Sequence, residues 1–339
     1  MKKRVLVGLS GVDSAVAASL LLKQGYDVIA GFMKNYADEE NPHCHTREDR
    51  NMALKVAKHL GIQTFIIFDF REQYHERIVQ YIYDGYQAQT PNPDVLCNTL
   101  IKFRLFLDEA KKLCDYVATG HYARIESSDS SYNLLKIDHN KDQSYFLSGL
   151  DQEQLSQSLF PLGGLEKTKV RKIAQDLLPN ADRKDSQLCF IGKVPLKEFL
   201  QEALPIKKGD IHDMQGKVLG EHDAHFYTIG QRTGLLNAPW YVVSKDTSTN
   251  TLVVSTNENQ DLMHSSLTAS STHRTSEAPS FPRNGHAKIR YRQEDQACTV
   301  TQDEEKLLVT FSSPQRAISP GQIIVFYEDE VIGNGIIGK

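Results

Sequence analysis

The feature that most constrains this chain is an alternation that fills its first 120 residues. Short apolar, β-branched runs take turns with segments of helical period. "RVLVGL", "YDVIAGFM", "QTFIIFDF" and "YVAT" read as buried strands. "DSAVAASLLLKQG" and "REDRNMALKVAKHLG" read as helices stopped by Gly25 and Gly61, and "HERIVQYIYDGY" and "TLIKFRLFLDEAKKL" as further helices. A βαβαβαβ order forces a parallel sheet with helices on both faces, a Rossmann-like α/β architecture. Ligands in such sheets bind beyond the carboxyl ends of the strands. Ser10, Met33 and Gly120 all fall at such ends.

The pattern then changes. "EKTKVRKIAQDLL" is a basic amphipathic helix and "VPLKEFLQEAL" another. After Pro205 short strands and turns follow. From about Ser265 to the end, alternating runs such as "HAKIRYRQ", "KLLVTF" and "QIIVFYEDEVIGNGII" suit a small β-barrel. The expected division is 1–196, with a helical part at about 140–196, then a central β-rich domain at 197–262 and a C-terminal barrel at 263–339. No apolar run reaches membrane-spanning length, and the short apolar run after Met1 lacks the features of a signal peptide. The expectation is a cytoplasmic protein. The five cysteines, Cys44, Cys97, Cys114, Cys189 and Cys298, form no CxxC pair. That argues against a disulfide framework and leaves room for a reactive thiol. Cys44 stands between His43 and His45, but adjacent residues make a poor tetrahedral zinc site and no partner pair follows.

Chemistry concentrates first in "VGLSGVDSAVAA". It lacks the glycines of a dinucleotide fingerprint and the GK[ST] of a Walker loop. What remains is a Ser/Gly turn on a strand-to-helix corner, where backbone N–H groups bind anions. Helix capping by Asp13 or Ser14 explains the same residues. An acid in an anion-binding turn repels the anion unless it acts through Mg²⁺. In "TPNPDVLCN" two prolines fix an extended approach, so Asp94 and Cys97 lie close on one loop. The net charge of −4 does not by itself suggest a nucleic-acid partner. The run His273–Arg292, however, holds five Lys/Arg against one acid, either a solvated face or an RNA contact.

"SGVDS" resembles the pyrophosphate loop of the ATP pyrophosphatases, usually SGGxDS. "GFMKN", "TPNPDVLCN", "DYVATGHYAR", "KDQSYFL", "YTIGQRTGL", "PWYVV", "IRYRQ" and "SPGQIIVFY" stand in the order of the tRNA-specific 2-thiouridylase (MnmA) family, and the resemblance covers almost the whole chain. It implies a PP-loop ATP-binding domain, a central domain and a tRNA-binding barrel. It further implies an ATP-dependent tRNA-uridine 2-sulfurtransferase that adenylates O2 of the wobble uridine and replaces it with persulfide sulfur. By that resemblance ATP with Mg²⁺ lies on Gly8, Leu9, Ser10, Gly11, Val12, Asp13 and Ser14, with Met33 and Gly120. Cys97 is the nucleophile, Asp94 an acid/base, and Cys189 in "RKDSQLCFIG" the persulfide carrier, able to pair with Cys97. The same resemblance implies that Asn92, Pro93 and Asp94 face the target base, that His121, Lys141, Asp142, Gln143, Arg290, Tyr291 and Gln322 contact tRNA, and that a persulfide donor or relay protein is the second partner. Both "SGVDS" and "DSQLC" are one residue shorter than the family's usual forms. The alternatives are a catalytically impaired tRNA-binding homologue, another ATP pyrophosphatase of amidotransferase type, and an iron–sulfur cluster held by Asp94, Cys97 and Cys189.

Overall fold

The computed structural model describes residues 2–36, 46–128, 131–137, 141–177, 195–204, 207–235, 238–275 and 280–338; Cys44 and Cys189 lie outside them. The chain begins β1 (Arg4–Gly8), α1 (Val12–Lys23), β2 (Asp27–Lys34), α2 (Thr46–His59) and β3 (Phe65–Asp69). Two longer helical stretches follow. In the first, α3 (Arg71–Tyr74) and α4 (Gln80–Ala88) flank a π-helical turn at His75–Val79. In the second, α5 (Pro93–Cys97) and α6 (Phe106–Ala110) flank a π-helical run at Asn98–Leu105. Then come β4 (Tyr116–Ala118), the hairpin β5 (Arg124–Ser127) and β6 (Tyr132–Leu135), α7 (Ser144–Leu147), α8 (Gln152–Ser156), β7 (Ser158–Leu159) and α9 (Lys167–Leu177).

The expected parallel sheet is present, in the order β3-β2-β1-β4-β7, and every ladder in it is parallel. Its strands carry no polar alternation because both faces are covered. Strand period two sends Leu6 into one core, with Ile29 and Phe106, and Val5 and Val7 into the other, with Ala15 and Phe32. β1 sits between β2 and β4, so the chain winds outward to β3 on one side and returns on the other. The strand order therefore reverses beside β1, and the crevice for a ligand opens above its carboxyl end.

α10 (Leu196–Gln201) adds Phe199 and Leu200 to the first core, where the Phe199 ring stacks on Tyr83 at 5.1 Å. β8 (Gly209–Asp213), β9 (Val218–His222), β10 (Tyr241–Asp246) and β11 (Thr251–Ser255) make a four-stranded sheet over Ile211, Val242 and Leu252. β12 (Met263–Arg274), β13 (Arg283–Lys288), β14 (Gln296–Asp303), β15 (Lys306–Arg316), β16 (Ile323–Tyr327) and β17 (Val331–Ile337) close into a barrel, β12 pairing with both β15 and β17. Closure leaves no free sheet edge. The barrel is docked firmly on the first domain. Val95, Phe103 and Tyr145 share one core with Ile323, Val325 and Val331, and the Tyr145 hydroxyl donates to the Ile323 carbonyl at 2.7 Å. Among the described residues no helix is long and apolar enough to cross a membrane.

Candidate active site

Leu9, Ser10 and Gly11 make the whole turn between β1 and α1. The Leu9 N–H donates to the Gly31 carbonyl at 2.7 Å, which ties the turn to β2. The Ser14 hydroxyl accepts from the N–H groups of Ser10 (2.9 Å) and Gly11 (3.1 Å) and donates to the Gly11 carbonyl (2.9 Å). Ser14 thus closes the short turn on itself. A Cβ placed on Gly11 meets nothing within 4 Å, so the space beside it is open. A Cβ on Gly8 lies 3.3 Å from Met33 Cε, and one on Gly120 falls 2.6 Å from the Ser14 nitrogen. Turn, Met33 and Gly120 therefore meet at the carboxyl edge of the sheet, beside the positive end of α1.

Asp13 turns away from the helix end. Both its oxygens take hydrogen bonds from Lys167 Nζ, at 2.7 and 2.6 Å, and Oδ1 accepts a third from the Tyr122 hydroxyl at 3.0 Å. Lys167 opens α9, whose Val170 and Ala174 pack on Val16 and Ala17 of α1. Its ammonium offsets the acid that otherwise makes this turn a poor anion site. The sequence reading missed Lys167. Its only signal was the basic helix it begins, since 154 residues separate it from Asp13.

A second cavity, of about 200 Å³, is lined by Ile82, Tyr86, Pro91, Asn92, Pro93, Asp94, Leu196 and Gln322. Drug-sized ligands need roughly 300–1,000 Å³, so this one suits a single planar ring. The expected extended loop is here a short helix. Asn92 stands at its N-cap and Pro93 at its first turn, where a fixed φ and a missing N–H favour the helix. Asp94 and Cys97, three residues apart, consequently share a helix face. Burial raises the Asp94 pKa above the usual carboxylate range, against the opposing charge of Lys102. Cys97 is only 1 % exposed and packs in the core with Ile101 and Phe106, so its sulfur lies behind the cavity wall. Cys189, the expected persulfide carrier, lies outside the described residues.

The other candidate residues divide by what they touch. Gln322 lines the cavity while its amide donates to the carbonyls of Thr90 (3.1 Å) and Pro91 (3.0 Å). His121 packs between Phe103 and Phe160, with Nδ1 2.7 Å from the Thr119 hydroxyl. Burial, aided by the charge of Lys102, lowers its pKa well below the usual value, so it offers a neutral imidazole. Asp142 accepts from the N–H and hydroxyl of Ser144, and Gln143 exchanges two hydrogen bonds with the Tyr122 backbone. Lys141 is half-buried beside them. Arg290 donates to the Ala317 carbonyl at 2.8 Å, and the Tyr291 ring lies 4.3 Å from that of Phe146. Cys114 and Cys298 are packing residues; burial raises both thiols, that of Cys298 to about 11. Among the described residues no cluster of three His, Cys, Asp or Glu side chains is placed to hold a metal ion, so nothing there supports an iron–sulfur cluster.

Family comparisons match this layout along its length. The model described as "tRNA methyl transferase HUP domain" matches residues 3–193, the "tRNA methyl transferase PRC-barrel domain" 197–256, and the "Aminomethyltransferase beta-barrel domain" 264–337. The tRNA-specific 2-thiouridylase MnmA of Streptococcus mutans is 48% identical, over 99% of this chain and 95% of its own. The chain belongs to the tRNA-specific 2-thiouridylase family. The MnmA of Enterococcus faecalis is 46% identical over 100% of this chain and 96% of its own. Among solved structures, an NMN synthetase from Francisella tularensis covers 60% of this chain and 73% of its own at 18% identity with a TM-score of 0.35, too loose a likeness to carry an argument. The impaired-homologue alternative finds no support: the chain aligns with these 2-thiouridylases over nearly its whole length, and the turn is closed by Ser14.

Proposed function

We propose that this chain uses ATP to 2-thiolate the wobble uridine of tRNA. The observation that carries the reading is a pairing: a short Ser/Gly turn at the sheet's switch point, at the N-terminal end of α1, and a ring-sized cavity walled by Asp94 with Cys97 one helical turn on. Such a cavity takes a base that has left its stack. ATP is the first substrate. Its phosphates fit the open space at Gly11 and the first turn of α1, with Met33 against the nucleoside. A Mg²⁺ ion bound with the triphosphate would neutralise charge on the leaving pyrophosphate; Asp13 is the carboxylate of this turn, and its oxygens are already engaged by Lys167 and Tyr122.

Uracil O2 attacks the α-phosphorus and pyrophosphate leaves. Asp94, whose raised pKa makes it a stronger base than an exposed carboxylate, takes the N3 proton. The terminal sulfur of a Cys189 persulfide then attacks C2 and AMP departs. Cys97 attacks the inner sulfur of Cys189. The S–S bond to the transferred sulfur breaks, its electrons go to the new thiocarbonyl, and a Cys97–Cys189 disulfide remains for a thiol to reduce. The persulfide comes from a separate donor or relay protein. The test is direct. The protein with unmodified tRNA, ATP, Mg²⁺ and a persulfide donor is expected to form 2-thiouridine and AMP in equal amounts. Cys97→Ser and Cys189→Ser are each expected to abolish 2-thiouridine. Wild-type protein with both thiols reduced that forms none refutes the reading.

A further inference from the structure

The segment between α4 and α5 is gripped from outside its own domain at three successive carbonyls. Gln322 of the barrel holds those of Thr90 and Pro91, and the Pro320 carbonyl takes the Thr90 N–H at 3.3 Å. Gly321, at φ +86°, lets the barrel approach: a Cβ there falls 2.9 Å from the Thr90 oxygen. The third carbonyl, Gln89, is held by Lys245, which leaves the central sheet on β10 and donates from Nζ at 2.7 Å.

Lys245 has the marks of a placed charge. Burial pushes its pKa down to about 8, and among the described residues its ammonium is hydrogen-bonded to a carbonyl, with no carboxylate paired to it. Lys245 is half-buried, so its ammonium gives up part of its hydration and its protein contacts must compensate. Two contacts are visible. Gln89 follows α4, so its carbonyl is one of the orphan acceptors at that helix's negative end, where a cation is favoured. The ammonium also lies 5.9 Å from the ring centroid of Tyr86, within reach of a cation–π contact, and Tyr86 lines the ring-sized cavity.

We propose that Lys245 is a positioning residue for this cavity: from the central domain it fixes the Tyr86 ring and the start of the Gln89–Asp94 segment, and so sets where the pyrimidine sits against Asp94. This rests on the thiolation reading above. It gives the central domain a part in the chemistry, alongside the barrel's Gln322.

The test uses the full chain with Lys245→Met, which keeps length but removes the charge and the donor, and Lys245→Arg, which restores both. Lys245→Met is expected to lower kcat for 2-thiouridine formation by about 10- to 100-fold, as a misplacement on the order of 1 Å does. KM for tRNA is expected to change less than about threefold, and Lys245→Arg to recover most of kcat. Hydrogen exchange, which needs no turnover, is expected to speed up at Gln89–Asn98 in Lys245→Met and to stay unchanged in β1 and β3. A Met variant with wild-type kcat, a loss confined to KM, no recovery with Arg, or unchanged exchange at Gln89–Asn98 overturns the proposal. If the wild type forms no 2-thiouridine, the thiolation reading fails, and exchange alone still decides whether Lys245 holds the segment.

Discussion

Gly120→Ala isolates the contact that brings the end of β4 against the turn between β1 and α1, where the proposed function places ATP. The added Cβ falls 2.6 Å from the Ser14 nitrogen and 2.7 Å from the Asp13 carbonyl carbon. Both are backbone atoms at the start of α1 and cannot rotate away. Ordinary contact needs at least 3.4 Å, so the helix start and the end of β4 must separate by nearly 1 Å. Overpacking of this kind costs about 1–3 kcal/mol, and a shift on the order of 1 Å at a reacting centre costs about 10²-fold in rate. Gly11→Ala is the matched control. Gly11 is extended, at φ −165°, and an added Cβ meets nothing within 4 Å. Gly11 is the N-cap of α1, where alanine is less favourable than glycine, so this offsets the unfolded-state gain and stability is expected to change by less than about 1 kcal/mol. Its methyl group fills the space assigned to phosphate, so KM for ATP is expected to rise while the fold is untouched. Urea unfolding and AMP release at varied ATP read both effects. Gly120→Ala with wild-type stability and rate, or Gly11→Ala with unchanged KM for ATP, refutes the placement of ATP at this turn.

Lys167→Met is expected to cost about 1–2 kcal/mol in urea unfolding, between exposed and buried ion pairs, because both partners are 21 % exposed; adding Asp13→Asn should recover part of it. Asp94→Asn is expected to lower thiolation by about 10²–10⁴-fold while raising the melting temperature near neutral pH. The sign follows from a raised folded pKa: the native carboxyl holds its proton more tightly than the unfolded one, so stability falls as pH rises through the raised value. The gap between Asp94→Asn and wild type should therefore close below about pH 4. Gln322→Ala removes two hydrogen bonds to Thr90 and Pro91 and is expected to cost about 1–3 kcal/mol; an unchanged urea midpoint would show that the barrel does not hold this segment.

The strands of the parallel sheet were legible because each is an apolar run bounded by turn residues, and burial on both faces writes itself into consecutive positions. β7 was not. At two residues, Ser158–Leu159, it carries no period. The π-helical runs at His75–Val79 and Asn98–Leu105 were read simply as helix, since residue type does not separate the two hydrogen-bond registers. The segment at Pro93 was read as extended, although proline at a helix's first turn is equally favourable; the tertiary setting chose.

By itself the sequence determined the α/β sheet, the turn at Gly8–Ser14, the Asn92–Cys97 cluster and the closing barrel. In each of these the interacting residues are neighbours along the chain or repeat with a fixed period. Only the tertiary structure decided what each charge answers to. Lys167 answers to Asp13, 154 residues away; Lys245 to the Gln89 carbonyl, 156 away; and Gln322 to Thr90, 232 away. A charged or amide side chain looks the same in sequence whether it faces water, RNA or a buried carbonyl. Its partner is fixed by how the three domains pack, and local spacing holds no record of that.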